Sequence, residues 1–346
     1  METYRANKMI VVLLGILVII ALGFILRILG SILKPFLIAL FLSFLFDLPI
    51  KVMRRIKIPK SVAIIIILIF TFLFFYLIGL LIYSNVNSFK EEFPAYEEKF
   101  QNLYLGVLEH LHIPETDVQK YYESINWPEL LQKFSIHKLL SASADSFMSF
   151  VSNLFLILLF MVYILLGRDE LLQRIVLAFP DDGKKFLTVY ENINTGIQRY
   201  VAAKALISLG TGISATIILL IFGVDFAWVW GLLTFLLDFI PNLGSTLAIV
   251  PPFLVAIFQF GGLVPAVWIA LLLILVQLTW GNIVEPAVMG KRMNLSPLVV
   301  IVSLIFWGFI WGPIGMVLAV PVSSAIQIVC SHINSLKPIS VMMADE

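Results

Sequence analysis

The stretch Asp238 to Pro252 reads DFIPNLGSTLAIVPP, which sets an acid, an asparagine and three prolines inside an otherwise apolar run. A partial echo, FIWGPIGMVLAVPV, occupies Phe309 to Val322. Gly244, Leu247 and Ala248 recur 71 positions later as Gly315, Leu318 and Ala319, while the flanking prolines slip by one. Helix breakers at membrane depth free backbone polar groups, which is tolerated only inside protein or against a water-filled cavity. Paired interruptions of this kind point to the binding site of a transporter built from internal repeats.

The rest of the chain places this stretch in a membrane. Its 346 residues are 60% hydrophobic and 13% charged, with a mean hydropathy of +1.01. Soluble domains average about 25% charged residues. A net charge of +1 gives no nucleic-acid footprint. The single cysteine, Cys330, has no intrachain partner for a disulfide. The first apolar run, Met9 to Leu26, is long for a signal-peptide core and lacks a small-x-small site after it, so it reads as a retained span.

The expected fold is all-α and polytopic, with about six full transmembrane helices, two broken or re-entrant hairpins and a small extracytoplasmic helical insertion. The spans are Met9 to about Leu29, Pro35 to Ile50, Val62 to Tyr83, Phe147 to Leu166, Ala205 to Phe222 and Leu263 to Trp280. The hairpins are Phe226 to Phe260 and Pro297 to Ile328, with arms of about 15 residues against the roughly 20 of a full crossing. Re-entrant hairpins and tilted spans both remain open, and both give the same loop parity. The organisation is then residues 1–84 with spans one to three and 85–146 as the outer insertion. Residues 147–204 hold span four and a cytoplasmic linker, 205–332 the transport core and 333–346 a cytoplasmic tail.

Loop charges orient the chain. Lys51, Arg54, Arg55, Lys57 and Lys60 place their link in the cytoplasm, and Gly167 to Lys204, carrying Arg168, Arg174, Lys184, Lys185, Arg199 and Lys204, follows. Lys291, Arg292 and the N-terminal Arg5 and Lys8 agree, so both termini are expected on the cytoplasmic side. Asn85 to Asp145, with ten acids against five lysines, falls outside. Within it, Phe93, Tyr96, Phe100, Leu103, Val107 and Leu111 follow a helical period, with Pro94 as its start. That helix either pairs with a neighbouring subunit or packs on its own domain.

From Ala205 to Gly290 there is no Lys, Arg or His, and the acids are Asp225, Asp238 and Glu285. Asp225 fits an outer loop. Asp238 sits deeper, where a carboxylate normally faces protein or water. It is either a proton, cation or solute site, or an acid that caps the next arm or bonds the amides freed by Pro241. Glu285 sits near the cytoplasmic boundary, where it could gate the path by pairing with Lys291 or Arg292, or simply form an interfacial ion pair. Gln277 and Asn282 are candidate path-lining amides, or bonds between helices.

The residues DFIPNLGSTLAIVPP, NIVEPAVMGKRMNLSPLVVIVSL from Asn282 and GPIGMVLAVPV from Gly312 together resemble the AI-2E, or PerM, family of transporters. The lead-in FPDDGKKFLTVYENINTGIQRYVAAKALISLGTGI from Phe179 belongs to the match. The likeness runs end to end and is most specific in the C-terminal half. It implies a prokaryotic multi-span protein with an outer insertion between spans three and four. It also implies export of autoinducer-2, or sodium or lithium/proton antiport, and a pentameric homo-oligomer. Asn242 departs from the pattern, standing where many relatives carry an aromatic.

A transport mechanism follows. The hairpins would meet near the midplane, with Pro241, Asn242, Gly244, Pro313 and Gly315 letting backbone approach a polar solute and arm N-termini presenting free amides. Asp238 would couple a proton or cation, and movement of the hairpin-bearing half would alternate access. The partners are the bilayer, a small polar solute or cation, and further copies of the chain; no cofactor, metal or nucleic acid is expected. A non-transporting assembly protein is the other class. An enzyme is disfavoured: no GxGD, GxSG or HExxH motif is present, and His110 and His112 beside Glu109 suit a surface helix better than a metal.

Overall fold

The computed structural model describes residues 14–15, 17–18, 21–110, 143–180, 183–241, 243–289 and 295–345, all without strand among these residues. The expected first span falls partly outside this set; residues 21–28 are helical. The helices that follow are α1 (Gly30–Arg55), α2 (Lys60–His110), α3 (Ser143–Ala178) and α4 (Gly183–Ile221). Next come α5 (Ala227–Leu237), α6 (Leu243–Phe260) and α7 (Leu263–Leu278). A π turn (Thr279–Val284) joins α7 to α8 (Glu285–Met289), and α9 (Pro297–Trp311), α10 (Pro313–His332) and α11 (Lys337–Met343) complete the chain. Among the described residues seven helices are long and apolar enough to cross a membrane, with α5 and α9 as shorter apolar helices. The protein is a polytopic α-helical membrane protein.

Three boundaries differ from the sequence reading. Span three and the outer helix are one element, α2, which at 51 residues is about 77 Å long and so runs far beyond a 30 Å hydrocarbon layer. Pro94 lies inside it instead of starting it, a position where proline forfeits one backbone bond but the surrounding turns carry the helix on. The expected linker Gly167 to Lys204 is helical on both sides of a short turn: α3 runs on to Ala178 and α4 begins at Gly183. The charges there sit on helices, Arg168 and Arg174 in α3 and Lys185, Arg199 and Lys204 in α4, and not in an irregular loop. The outer residues 111–142 lie outside the described set.

The chain divides into two compact units. One comprises Met1–Ile69, Phe155–Ala202 and Lys291–Glu346, and the other Phe70–Leu154 and Ala203–Gly290. The expected core 205–332 therefore spans both, with the first hairpin in the second unit and the echo hairpin in the first.

In the first unit, Ala39, Ile50, Ala63, Ile64, Ile67, Met161 and Leu165 form one buried cluster. Phe41, Phe44, Ile197 and Leu318 form another, joining α1, α4 and α10. The hairpin α9–α10 begins conventionally: Ser296 Oγ accepts from the Val299 amide and Pro297 occupies the first turn. It reverses at Gly312, whose φ of 69° and ψ of −148° only glycine adopts without strain. Buried Ser323 donates to Ser303 across the arms at 2.8 Å. In the second unit, Ala215 and Leu219 of α4, Val255 and Ala256 of α6, and Ala266, Ile269 and Leu273 of α7 form the core.

The arms are unequal. α5 has 11 residues and α9 has 15, about 16 and 22 Å of helix, whereas α6 and α10 have 18 and 20, about 27 and 30 Å. Each hairpin thus pairs an arm shorter than the hydrocarbon layer with one close to its full thickness. The echoed glycines do the same job in both. A Cβ on Gly244 would overlap the Leu237 carbonyl oxygen, and a Cβ on Gly315 would overlap that of Trp307. Each glycine lets its second arm sit directly on the last carbonyls of the first. Gly244→Ala and Gly315→Ala should each destabilise the protein by about 1–3 kcal/mol through overpacking against backbone. Gly23→Ala, where nothing lies within 4 Å, should leave the midpoint unchanged. Thermal unfolding in detergent reads all three, and equal midpoints would remove the close-approach argument.

Candidate functional site

The second unit carries a cleft of about 810 Å³, lined by Asp238 and Pro241 of the first hairpin, Gln277 of α7, Asn282 of the π turn and Glu285 of α8, together with Lys204 of α4. Five residues singled out in the sequence thus meet at one place. Each is delivered by a break in a helix. Asp238 is the C-cap of α5, where Pro241 prevents the helix from continuing. Pro286 lacks an amide and cannot extend the regular bonding pattern back into α7, and the wide turn ends two residues before it. The Trp280 side chain within that turn fits where Gly210 has no Cβ, and its Nε1 donates to Ser214 Oγ at 3.2 Å.

Lys204 organises the charges. Its Nζ lies 2.9 Å from Glu285 Oε2 and 3.4 Å from Asp238 Oδ2. Ser208, one turn further along α4, donates to Asp238 Oδ2 at 2.7 Å. The Lys204 and Asp238 side chains are 3% and 8% exposed and Glu285 29%, so the pair is dry on one side and open to the cleft on the other. Two carboxylates share one ammonium, leaving a formal charge of −1. Although Asp238 ends α5, its carboxylate is engaged by the side chains of Lys204 and Ser208 and not by the amides at the start of α6. The amides of Leu243 and Gly244, expected to be free at the start of α6, donate to the Pro241 and Ile240 carbonyls.

Lys204 is the functional residue that the sequence reading missed. The apolar run begins at Ala205, which sets Lys204 among the loop charges, but it is buried in α4. The signal was available: Lys204 and Ser208 are four apart and share a helical face. Glu285 pairs with Lys204, whereas its expected partners Lys291 and Arg292, like Asn242, lie outside the described residues. Gln277 and Asn282 have no hydrogen-bond partner among the described residues, and both face the cleft. Gly244 serves the hairpin contact. Pro313 and Gly315 belong to the α9–α10 hairpin of the other unit, at its turn.

α4 meets α5 through small residues. A Cβ on Gly212 would come within 2.8 Å of the Gly231 carbonyl oxygen, and one on Gly231 would overlap the Thr216 hydroxyl. Thr211, Ser214, Thr216 and Thr234 each donate to the carbonyl four residues back, so no hydroxyl is left unpaired in this apolar contact.

A polytopic helical membrane protein with broken hairpins and a charged polar cleft belongs to the class of transporters. The AI-2E family transporter profile matches residues 14–335, and the chain belongs to that family. It is similar to the AI-2 transport protein TqsA of Escherichia coli (strain K12), with 31% identity covering 97% of this chain and 95% of that protein. A protein of Haemophilus influenzae provisionally named a transport protein is 31% identical over 91% of each chain.

Lys204→Met should destabilise the protein by about 3–5 kcal/mol, because it strands two carboxylates at a buried site. Adding Asp238→Asn and Glu285→Gln should restore most of that loss. Denaturant unfolding of the single and triple variants tests the coupling, and additive losses would contradict it.

Proposed function

We propose that this cleft is the solute and ion site of a secondary transporter that exports a small polar solute, similar to autoinducer-2, across a bacterial plasma membrane. The observation that carries the reading is the pair of carboxylates on one buried ammonium beside two amides that have no hydrogen-bond partner among the described residues. Gln277 and Asn282 supply donors and acceptors for hydroxyls and carbonyls of a polar solute. Among the described residues two carboxylates meet one ammonium, an excess of negative charge that is costly in a low-dielectric span and that a bound cation or proton would offset. A neutral cluster rearranges past apolar surroundings more readily than a charged one, which is the basis of coupling. The loop charges support cytoplasmic termini, and the family resemblance supports a homo-oligomer.

A second reading has the cation itself as cargo, making the protein a sodium or lithium/proton antiporter; the same excess of carboxylate among the described residues favours it. Proteoliposomes carrying an internal pH dye and loaded with autoinducer-2 or with sodium distinguish the two. Solute efflux that moves protons supports the first reading, and sodium-driven proton movement without solute supports the second. Asp238→Asn should lower the coupled rate about tenfold or more, equal to ~1.4 kcal/mol on a barrier. A folded Asp238→Asn protein working at the wild-type rate would sink both.

A further inference from the structure

We propose that a second cavity, formed by α1, α3 and α4 within the first unit, is a binding site for an anionic phospholipid. It encloses about 540 Å³, within the roughly 300–1,000 Å³ of small-molecule sites. One end is aromatic, with Phe36 and Phe160 edge to face at 5.6 Å. The other end holds Arg168 and Arg174, with the acid Glu170 between them, a net positive lining. Phe160 and Arg174 lie about 21 Å apart along α3, so the cavity combines a long apolar wall with a cationic rim, the shape of an acyl chain below a headgroup.

The rim is both positive and organised. Arg168 Nη1 donates to Asp47 Oδ1 at 2.8 Å, and its guanidinium lies 5.3 Å from the Tyr190 ring centre. The plane is thereby fixed, and the guanidinium has further donors beyond the one Asp47 takes. Among the described residues Arg174 meets Glu170, at 3.4 Å, with both side chains more than 70% exposed, a contact that a phosphate readily replaces. Lys60 holds Asp169 at 2.6 Å, which ties the basic link to this same end. Between Asp47 and Lys60 the chain has five basic residues against one acid, and between Arg168 and Arg174 two against two. Basic pockets between membrane helices select anionic headgroups. A free phosphate leaves the aromatic end unused, and a zwitterionic lipid brings its own cation to a cationic rim.

The test uses the purified full-length protein in detergent. Native mass spectrometry counts bound dioleoylphosphatidylglycerol against dioleoylphosphatidylcholine, and thermal unfolding is measured with each lipid and with inorganic phosphate. Phosphatidylglycerol should be retained and should raise the midpoint. Arg174→Gln should weaken its binding about fivefold and leave phosphatidylcholine unaffected. Gly167→Phe, at a lining position with nothing within 4 Å of a Cβ, should fill the cavity and abolish retention while the lipid-free midpoint stays put. Equal retention of both lipids, equal stabilisation by phosphate alone, or wild-type retention by a folded Gly167→Phe protein would overturn the proposal.

Discussion

A buried ammonium held between two carboxylates is the interaction on which the second unit turns, because it joins elements far apart in sequence. Lys204 comes from the middle of α4, Asp238 from the end of α5, and Glu285 from the start of α8. Removing such charges from water costs several kcal/mol each, which their mutual attraction recovers only when the geometry is good. Ser208 improves it by occupying an oxygen of Asp238. Burial of this kind is poor stabilisation but good specification: it fixes which faces of three helices meet. The cleft beside it exists because none of those faces can close over the charges with hydrocarbon alone.

The two hairpins meet a different constraint by a common means. Each must end one helix and begin another with little polar backbone exposed, and each does so by laying its second arm on the final carbonyls of the first. Gly244 and Gly315 are the positions where the arms touch, which is why the echo in sequence keeps the glycine while the prolines around it slip. The environments then diverge. Leu318 is buried, whereas its counterpart Leu247 is about half exposed. A shared glycine contact, across turns of different length, thus serves two separate surroundings.

Much of this was legible from residues alone. Hydropathy pointed to the helical membrane class, and the breakers at Pro241 and Pro313 pointed to the hairpins. The rarity of charge in a long apolar run singled out Asp238 and Glu285. Lys204 escaped because a hydropathy window ends an apolar segment at its first charge, while a helix is ended only by lost hydrogen bonds or packing; α4 simply continues through it. The same blindness split α2 at Tyr83 and treated Gly167 to Lys204 as a linker. Pro94 misled for a related reason: proline is a local penalty of about 3 kcal/mol, which a long helix can absorb.

The π turn at Thr279–Val284 acts as a phase shifter. A wide turn amounts to one surplus residue, and a residue advances an α-helix by about 100°. Everything after it, Glu285 included, is rotated by that amount relative to the face that α7 presents to its core. The segment can therefore bury Ile269 and Leu273 on one side and still turn a carboxylate toward Lys204 a few residues later. Sequence length, and not only residue identity, is thus part of the site: a single-residue deletion in this turn keeps every side chain of the cleft yet aims Glu285 elsewhere.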